Sequence, residues 1–436
     1  MRDFKKYYQD RVVDAETALK KIKDNSRVIF SHATGEPSGL IDVMVANKEW
    51  FHNVEIMHMV AMGKSEYCQP GMEPHFRHNS FFVGASTRQA VYEGRADFTP
   101  CFLFEIPSVI RSEEFHVDVA MVQVCPPDEF GNVSLGVTGD YTVAAVEQAD
   151  IVIAQVNKYV PRTFGDVYMP VENFDYFVEM DQPLINLPQG KISDVEIEIG
   201  KYCGSLIKDG DTLQLGIGSL PDAVLMTLND KNDLGVHSEM LADGVVDLCI
   251  KGNINNSVKT INKGKTVVSF LMGTEKLYNY VNNNPTVEVM AIDYVNNPFV
   301  VAQNDNMISI NSCVQVDMMG QVCSESIGLK QISAVGGQVD FVRGANASKG
   351  GKSIIAMPST AAGGKVSKIV PFLDHGATVT TSRADVGYII TEYGIAYLRG
   401  QTLRERARRL INIAHPNFRD GLKEEYERRF HESFKD

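Results

Sequence analysis

Asp211 to Met240, DTLQLGIGSLPDAVLMTLNDKNDLGVHSEM, is the stretch on which the fold of this chain turns. Leu213, Leu215 and Ile217 alternate as a strand does, and Gly216 and Gly218 bend its end into a turn. Pro221 suits the first turn of a helix, and Ala223, Val224, Leu225 and Leu228 give that helix its apolar side. A polar loop follows, then a second strand that ends in Glu239. Strand, helix and strand in so short a span predict a parallel pair joined by a right-handed crossover. In an open sheet the carboxyl ends of such strands frame the ligand crevice, so the glycine turn and Glu239 are expected to face one cavity. His237 lies two residues before Glu239, on the same face of the expected strand, where it could orient the carboxylate.

The same stretch outlines a dinucleotide fingerprint, with Gly216-x-Gly218 after a strand and an acid further on. The fingerprint needs a third small residue where helix packs on strand, and Pro221 stands there instead. A nicotinamide cofactor is therefore not expected. What survives is more general: bare backbone N–H groups at a helix start suit an oxygen or phosphate of a ligand.

Outward from this stretch, Ile22 to Met59 echoes Ile207 to Met240. Both begin Ile-Lys-Asp, both carry a proline in the turn (Pro37 and Pro221), and they end His58-Met59 against Glu239-Met240. Two related α/β domains follow, of which only the second ends its strand in a carboxylate. Met180 to Gly190, MDQPLINLPQG, is the expected boundary, because Pro183 and Pro188 resist helix before the helical run Asp194 to Leu206. The expected domains are residues 1–187 and 188–436. Beyond residue 240, short apolar strands at Thr266 to Leu271, Val287 to Ala291, Ser353 to Met357 and Tyr388 to Thr391 alternate with helical stretches.

The 436 residues are 44% hydrophobic and 22% charged, ample for two or three full cores. A net charge of -13 argues against a nucleic-acid partner. Seven scattered cysteines, none spaced C-x-x-C, signal neither a disulfide framework nor a zinc site. No signal peptide or apolar membrane span is visible, so a cytoplasmic protein with no membrane partner is expected. None of the ten histidines has tight metal-ligand spacing, and no metal site is expected. His75 and His78, the nearest pair, read as a solvent-facing loop beside a proline.

Further glycine-rich segments draw in other candidates. VGGQVDFVRGA (Val335 to Ala345) and KGGKSIIAMPST (Lys349 to Thr360) read either as tight turns or as backbone closing around a thin ligand and offering N–H groups to an oxyanion. PPDEFGNVSLGVTGDY (Pro126 to Tyr141) is a loop followed by a strand that could line the cavity from the opposite side. The last helix, Thr402 to His415, carries Arg404, Arg406, Arg408 and Arg409, either as a solvated face or as a contact for a ligand phosphate.

Taken with LGVHSEMLADGVVDL, IDYVNNP, KIVPFLDHGATVTTSRADVGYIITEYGIAYLRG and ERARRLINIAHPNF, these segments make a chain that resembles the acetyl-CoA hydrolase/transferase family of CoA-transferases over nearly its whole length. The resemblance implies two similar open α/β domains with the active site at their interface, and a homodimer or dimer of dimers. It implies CoA transfer between a short-chain acyl-CoA, such as 4-hydroxybutyryl-CoA or butyryl-CoA, and a carboxylate such as acetate. CoA is then a substrate, and no tightly bound cofactor is expected. By the same resemblance Glu239 is the catalytic glutamate, while Asn296 and Gly337 help hold the carboxylate and the oxyanion. Gly216, Ile217 and Gly218 with Gly336, Gln338, Phe341, Gly344 and Lys352 are the expected CoA-binding set. Ala242 in SEMLADG stands where serine is expected.

A carboxylate suits this reaction because it can attack a thioester and keep CoA as a glutamyl thioester. Such a group must stay ionised, so hydrogen-bonding neighbours, His237 and Asn296 among them, are expected around it. Two other readings stay open: a thioesterase, in which water is the acceptor, and a non-enzymatic acyl-CoA sensor.

Overall fold

The computed structural model describes residues 4–435. The opening stretch forms the strand Thr212–Leu215, buried at every residue, then the helix Ser219–Met226 and the short strand Gly235–Val236. The two strands are parallel, with Leu213 opposite Val236. Ile217 does not extend the strand, because the chain leaves the sheet at Gly216 and Ile217 turns outward, 38% exposed. The second strand stops at Val236, so Glu239 lies three residues past it in the following segment.

The earlier copy repeats this element by element. Strand Arg27–Phe30, helix Ser38–Ala46 and strand Val54–Met57 follow in the same order, with Val28 opposite Ile56 in parallel.

Residues 1–188 and 267–295 form one unit, and residues 189–266 and 296–436 the other. The second half is therefore not the uninterrupted domain expected from residue 188. The chain returns to the first unit for 29 residues, where Phe270 bridges to Thr138 and Val289 N–H donates to Phe164 O. Local pattern could not show this, since such pairings join residues more than a hundred positions apart.

The first unit holds a seven-stranded parallel sheet in the order Ala96–Phe98, Phe76–Ser80, Val54–Met57, Arg27–Phe30, Val119–Val124, Ile151–Val156, Tyr176–Glu179. Its strands are near-continuous apolar runs, as VAMVQV shows, because helices cover both faces of such a sheet. His75 and His78 belong to this core. His78 sits inside the strand Phe76–Ser80 and both rings are buried, which corrects the solvent-facing loop. The alternation Phe76, His78, Ser80 turns His78 inward, where its Nδ1 lies 3.2 Å from Ile56 O.

The second unit has a six-stranded sheet in the order Gly235–Val236, Thr212–Leu215, Met307–Asn311, Lys352–Ala356, Tyr388–Thr391, Gly394–Tyr397. All pairs are parallel except the last, a hairpin. Strand order reverses between Thr212–Leu215 and Met307–Asn311. That switch point is where an open sheet offers its crevice. A core of Val316, Met318, Ile355, Ile389, Leu410, Ile411 and Tyr426 supports the sheet from the side of the last two helices.

Three arginines of the basic helix Leu403–Ile413 tie it into this unit, while Arg404 stays more than half exposed. Arg406 is buried and donates to Arg383 O and Met319 O, Arg408 meets Glu432, and Arg409 meets Glu405 and Tyr397 O.

Candidate active site

At the carboxyl edge of the second sheet, Ser238 fastens the segment that carries Glu239. Its hydroxyl donates to Leu215 O at 3.2 Å, immediately before the glycine turn. This brings the two ends of the opening stretch side by side and leaves Glu239 half-buried. Asn296 Nδ2 donates to Glu239 Oε2 at 3.0 Å and to Asp340 Oδ2 at 3.3 Å. Asn296 is fully buried, at the entry to the short helix Pro298–Val301, whose N-cap is Asn297.

Gly337 completes the group from the N-cap of the helix Gln338–Ala347. Its φ of -87° suits any residue, so space is what requires glycine. A Cβ there would lie 3.0 Å from Glu239 Cδ and nearer still to Glu239 Oε2 and Asn296 Nδ2. Glu239, Asn296 and Gly337 thus meet as expected. Asp340 joins them unforeseen, one turn into the same helix and only 1% exposed. Its signal in the sequence was its place three residues after Gly337, which returns a helical side chain to the same face.

A hydrogen bond to Glu239 Oε2 comes from Asn296. His237 packs its buried ring edge-on to Phe341, with ring centroids 6.4 Å apart, and its backbone N–H closes the sheet on Leu213 O.

The glycine turn lines a cavity of about 300 Å³ at the switch point, between Gly216–Pro221 and Ile310–Ser312, with Glu196 and Pro358 at its side. Gly218 has φ +109° at the N-cap of Ser219–Met226, a conformation closed to other residues. No atom lies within 4 Å of where a Cβ would stand on Gly216 or Gly218, so this backbone is open to a ligand. Burial works against the charge on Glu196, yet the Ser219 and Ser193 hydroxyls and the Ser193 N–H outweigh it and hold the carboxyl below the usual glutamate range.

The remaining expected CoA contacts divide. Gly336, with φ +55°, shapes the turn into Gly337. Gln338 is committed to the fold: Nε2 donates to Ser312 O at 2.6 Å while Oε1 accepts from Ser324 and Thr381. Phe341 is fully buried, and Gly344 lies where Val301 of the neighbouring helix approaches closest, so both pack helices and present no ligand surface. Lys352 begins its strand, whereas the crevice lies at strand ends, which places it on the opposite edge of the sheet. A glycine-rich motif does not reveal which of its residues face out, because that depends on the helix register set by packing.

Among the described residues, one His/Asp group has metal-ligand spacing: His116, Asp118 and Asp150, on the surface of the first unit.

The acetyl-CoA hydrolase/transferase N-terminal domain matches residues 1–187 and the C-terminal domain of that name matches residues 273–426. The chain belongs to the acetyl-CoA hydrolase/transferase family. It is 60% identical to 4-hydroxybutyrate coenzyme A transferase of Clostridium kluyveri over 98% of this chain and 100% of that one. It is 38% identical to butyryl-CoA:acetate CoA-transferase of Anaerostipes caccae, over 96% of each chain. Among solved structures, 4-hydroxybutyrate CoA-transferase of Porphyromonas gingivalis matches with a TM-score of 0.86 at 42% identity, covering 98% of this chain and all of that one.

Proposed function

We propose that this CoA-transferase moves CoA between a short-chain acyl-CoA, 4-hydroxybutyryl-CoA or butyryl-CoA, and a carboxylate such as acetate, with Glu239 as the nucleophile. The observation that carries the proposal is the Glu239 carboxylate, oriented by Asn296 Nδ2 and packed against a Gly337 that has no side chain to obstruct it. Full-length likeness to transferases of these acids supports the substrate class.

A Glu239 oxygen adds to the thioester carbonyl, and the tetrahedral intermediate expels CoA thiolate to leave a mixed anhydride. The thiolate then attacks the glutamyl carbonyl and releases the acyl group as its carboxylate, leaving a glutamyl-CoA thioester. Acetate attacks that thioester, thiolate leaves again, and its attack on the acetyl carbonyl gives acetyl-CoA and restores Glu239. No electrons change hands. Each oxyanion needs fixed donors, for which Asn296 Nδ2 and the N–H groups of the glycine turns are suited. Gly216 to Gly218 are the best supported of the CoA contacts, since they line the open cavity.

A homodimer or dimer of dimers in the cytoplasm belongs to the same proposal. The seven free cysteines fit a reducing compartment, and among the described residues no helix is long and apolar enough to cross a membrane.

The test mixes the protein with butyryl-CoA or 4-hydroxybutyryl-CoA and excess acetate, following acetyl-CoA by chromatography and free thiol by a colour reagent. Acetyl-CoA without free thiol is expected. Free thiol without acetyl-CoA would overturn transfer in favour of hydrolysis.

A further inference from the structure

We infer that Asp340 is a positioning residue for the transfer: it keeps Asn296 Nδ2 turned toward Glu239 while Glu239 carries CoA and has lost its charge. This rests on the glutamyl thioester proposed above.

An amide NH₂ has two hydrogens, and Asn296 directs one to Glu239 Oε2 at 3.0 Å and the other to Asp340 Oδ2 at 3.3 Å. The same amide leaves its Oδ1 buried with no hydrogen-bond partner among the described residues. Buried amides normally satisfy both ends, so this orientation is imposed by the neighbours. Turning the amide over would set Oδ1 against two carboxyl oxygens.

In the free protein either carboxyl group is enough to hold the orientation. Once Glu239 is acylated it presents a neutral carbonyl, a far weaker acceptor than a carboxylate. Asp340 is then the group that still fixes Nδ2. The amide meanwhile has a reason to turn, because its unpartnered Oδ1 gains by finding a donor or water. A turned amide would point an oxygen at the glutamyl carbonyl where acetate must build negative charge. Asp340 is well placed to prevent this: it is 1% exposed and sits on the helix whose N-cap is Gly337, so amide and Gly337 backbone are held by one rigid element. Its role is exerted through the Asn296 amide that it shares with Glu239. Its effect falls chiefly on the half of the cycle that starts from the neutral, long-lived thioester; in the other half Glu239 begins as a carboxylate that orients Asn296 by itself, and it is neutral only in the transient anhydride, before the amide has time to turn.

The experiment separates the two halves. Wild-type protein, D340A and D340N react with butyryl-CoA in a single turnover, and intact mass follows the protein–CoA thioester. The isolated thioester form is then chased with acetate and acetyl-CoA is measured. In D340A, thioester formation stays within about threefold of wild type, while its resolution by acetate falls by about thirtyfold, less than the roughly hundredfold or more that outright loss of one donor costs, because the donor is turned and not removed. The thioester accumulates, and kcat falls with little change in KM for butyryl-CoA. D340N keeps a carbonyl oxygen facing Nδ2 and restores resolution to within about fivefold of wild type, the cost of a neutral acceptor. D340S, too short to reach Asn296, gives the same readout as D340A and replaces it where D340A does not fold. Equal slowing of both halves marks a merely structural role and overturns the inference, as does unchanged resolution or a D340N protein as slow as D340A. Wild-type protein that forms no thioester overturns the Glu239 nucleophile, and this inference with it.

Discussion

Gly337→Ala isolates a steric effect. The backbone at Gly337 has φ -87° and ψ 4°, so alanine enters without strain and the new methyl group is the whole perturbation. That methyl would stand 3.0 Å from Glu239 Cδ, with Glu239 Oε2 and Asn296 Nδ2 closer still. Carbon atoms settle at about 3.5–4.0 Å, so Glu239 must retreat by roughly 1 Å or turn away from Asn296. A displacement of that size at a nucleophile costs about a hundredfold in rate, equivalent to about 2.7 kcal/mol of barrier. Loss of alignment with Asn296 adds to this, and a fall in kcat of two to three powers of ten is expected. Stability should fall by about 1–3 kcal/mol, as for any methyl forced into a filled space. The assay is initial-rate acetyl-CoA formation from butyryl-CoA and acetate, alongside a urea melt to confirm that the variant is folded at the assay temperature. A folded Gly337→Ala protein with kcat within about threefold of wild type would refute the reasoning, since 1 Å would then not matter.

Three other outcomes are expected. Glu239→Ala should abolish transfer and thioester formation while leaving the urea midpoint near that of wild type, because Glu239 is half-buried; turnover by this variant would remove the nucleophile from the scheme. Ala242 is the N-cap of the helix Asp243–Lys251, with extended dihedrals and no side-chain cap, so Ala242→Ser should stabilise the protein by about 1 kcal/mol, read as a raised urea midpoint. Burial holds His78 down at about 4, below its ordinary value of 6.5, so between those limits the unfolded chain binds a proton that the folded chain refuses. Stability is then lost as pH falls through that window, by about 2 kcal/mol from pH 7.5 to pH 5. His78→Gln should flatten the loss, and an unchanged pH slope in urea melts would show that His78 does not contribute.

Much of this was legible where local pattern and topology coincide. Leu213 and Leu215, the turn at Gly216 and Gly218, and Pro221 in the first helical turn are local signals, and together they set Glu239 at the sheet's ligand edge. Asn296 and Gly337 were reached through motif resemblance, and the hydrogen bond and close packing with Glu239 now give that resemblance a physical content. What escaped depends on orientation and on distant packing. Phe341 and Gly344 face inward because the helix Gln338–Ala347 must pack on Pro298–Val301, a register that glycine content does not encode. Lys352 opens its strand, and the glycines beside it carry no sign of which strand end meets the crevice. His78 was misread because the proline before it suggested a loop, whereas Phe76–Ser80 is a strand inside the sheet. Asp340 needed three dimensions, since its importance lies in sharing one amide with Glu239.

The interleaving of the chain also sets a timetable for its synthesis. Residues 1–188 leave the ribosome first, yet their unit lacks residues 267–295, which follow only after a stretch of the other unit has emerged. Val267, Leu271, Leu277, Val281, Val287 and Val289 are all buried in the finished protein, so the nascent first unit waits with an unfilled apolar seat. At about 5–20 residues per second, that wait lasts about 5–20 s. A truncation at residue 188 would make it permanent.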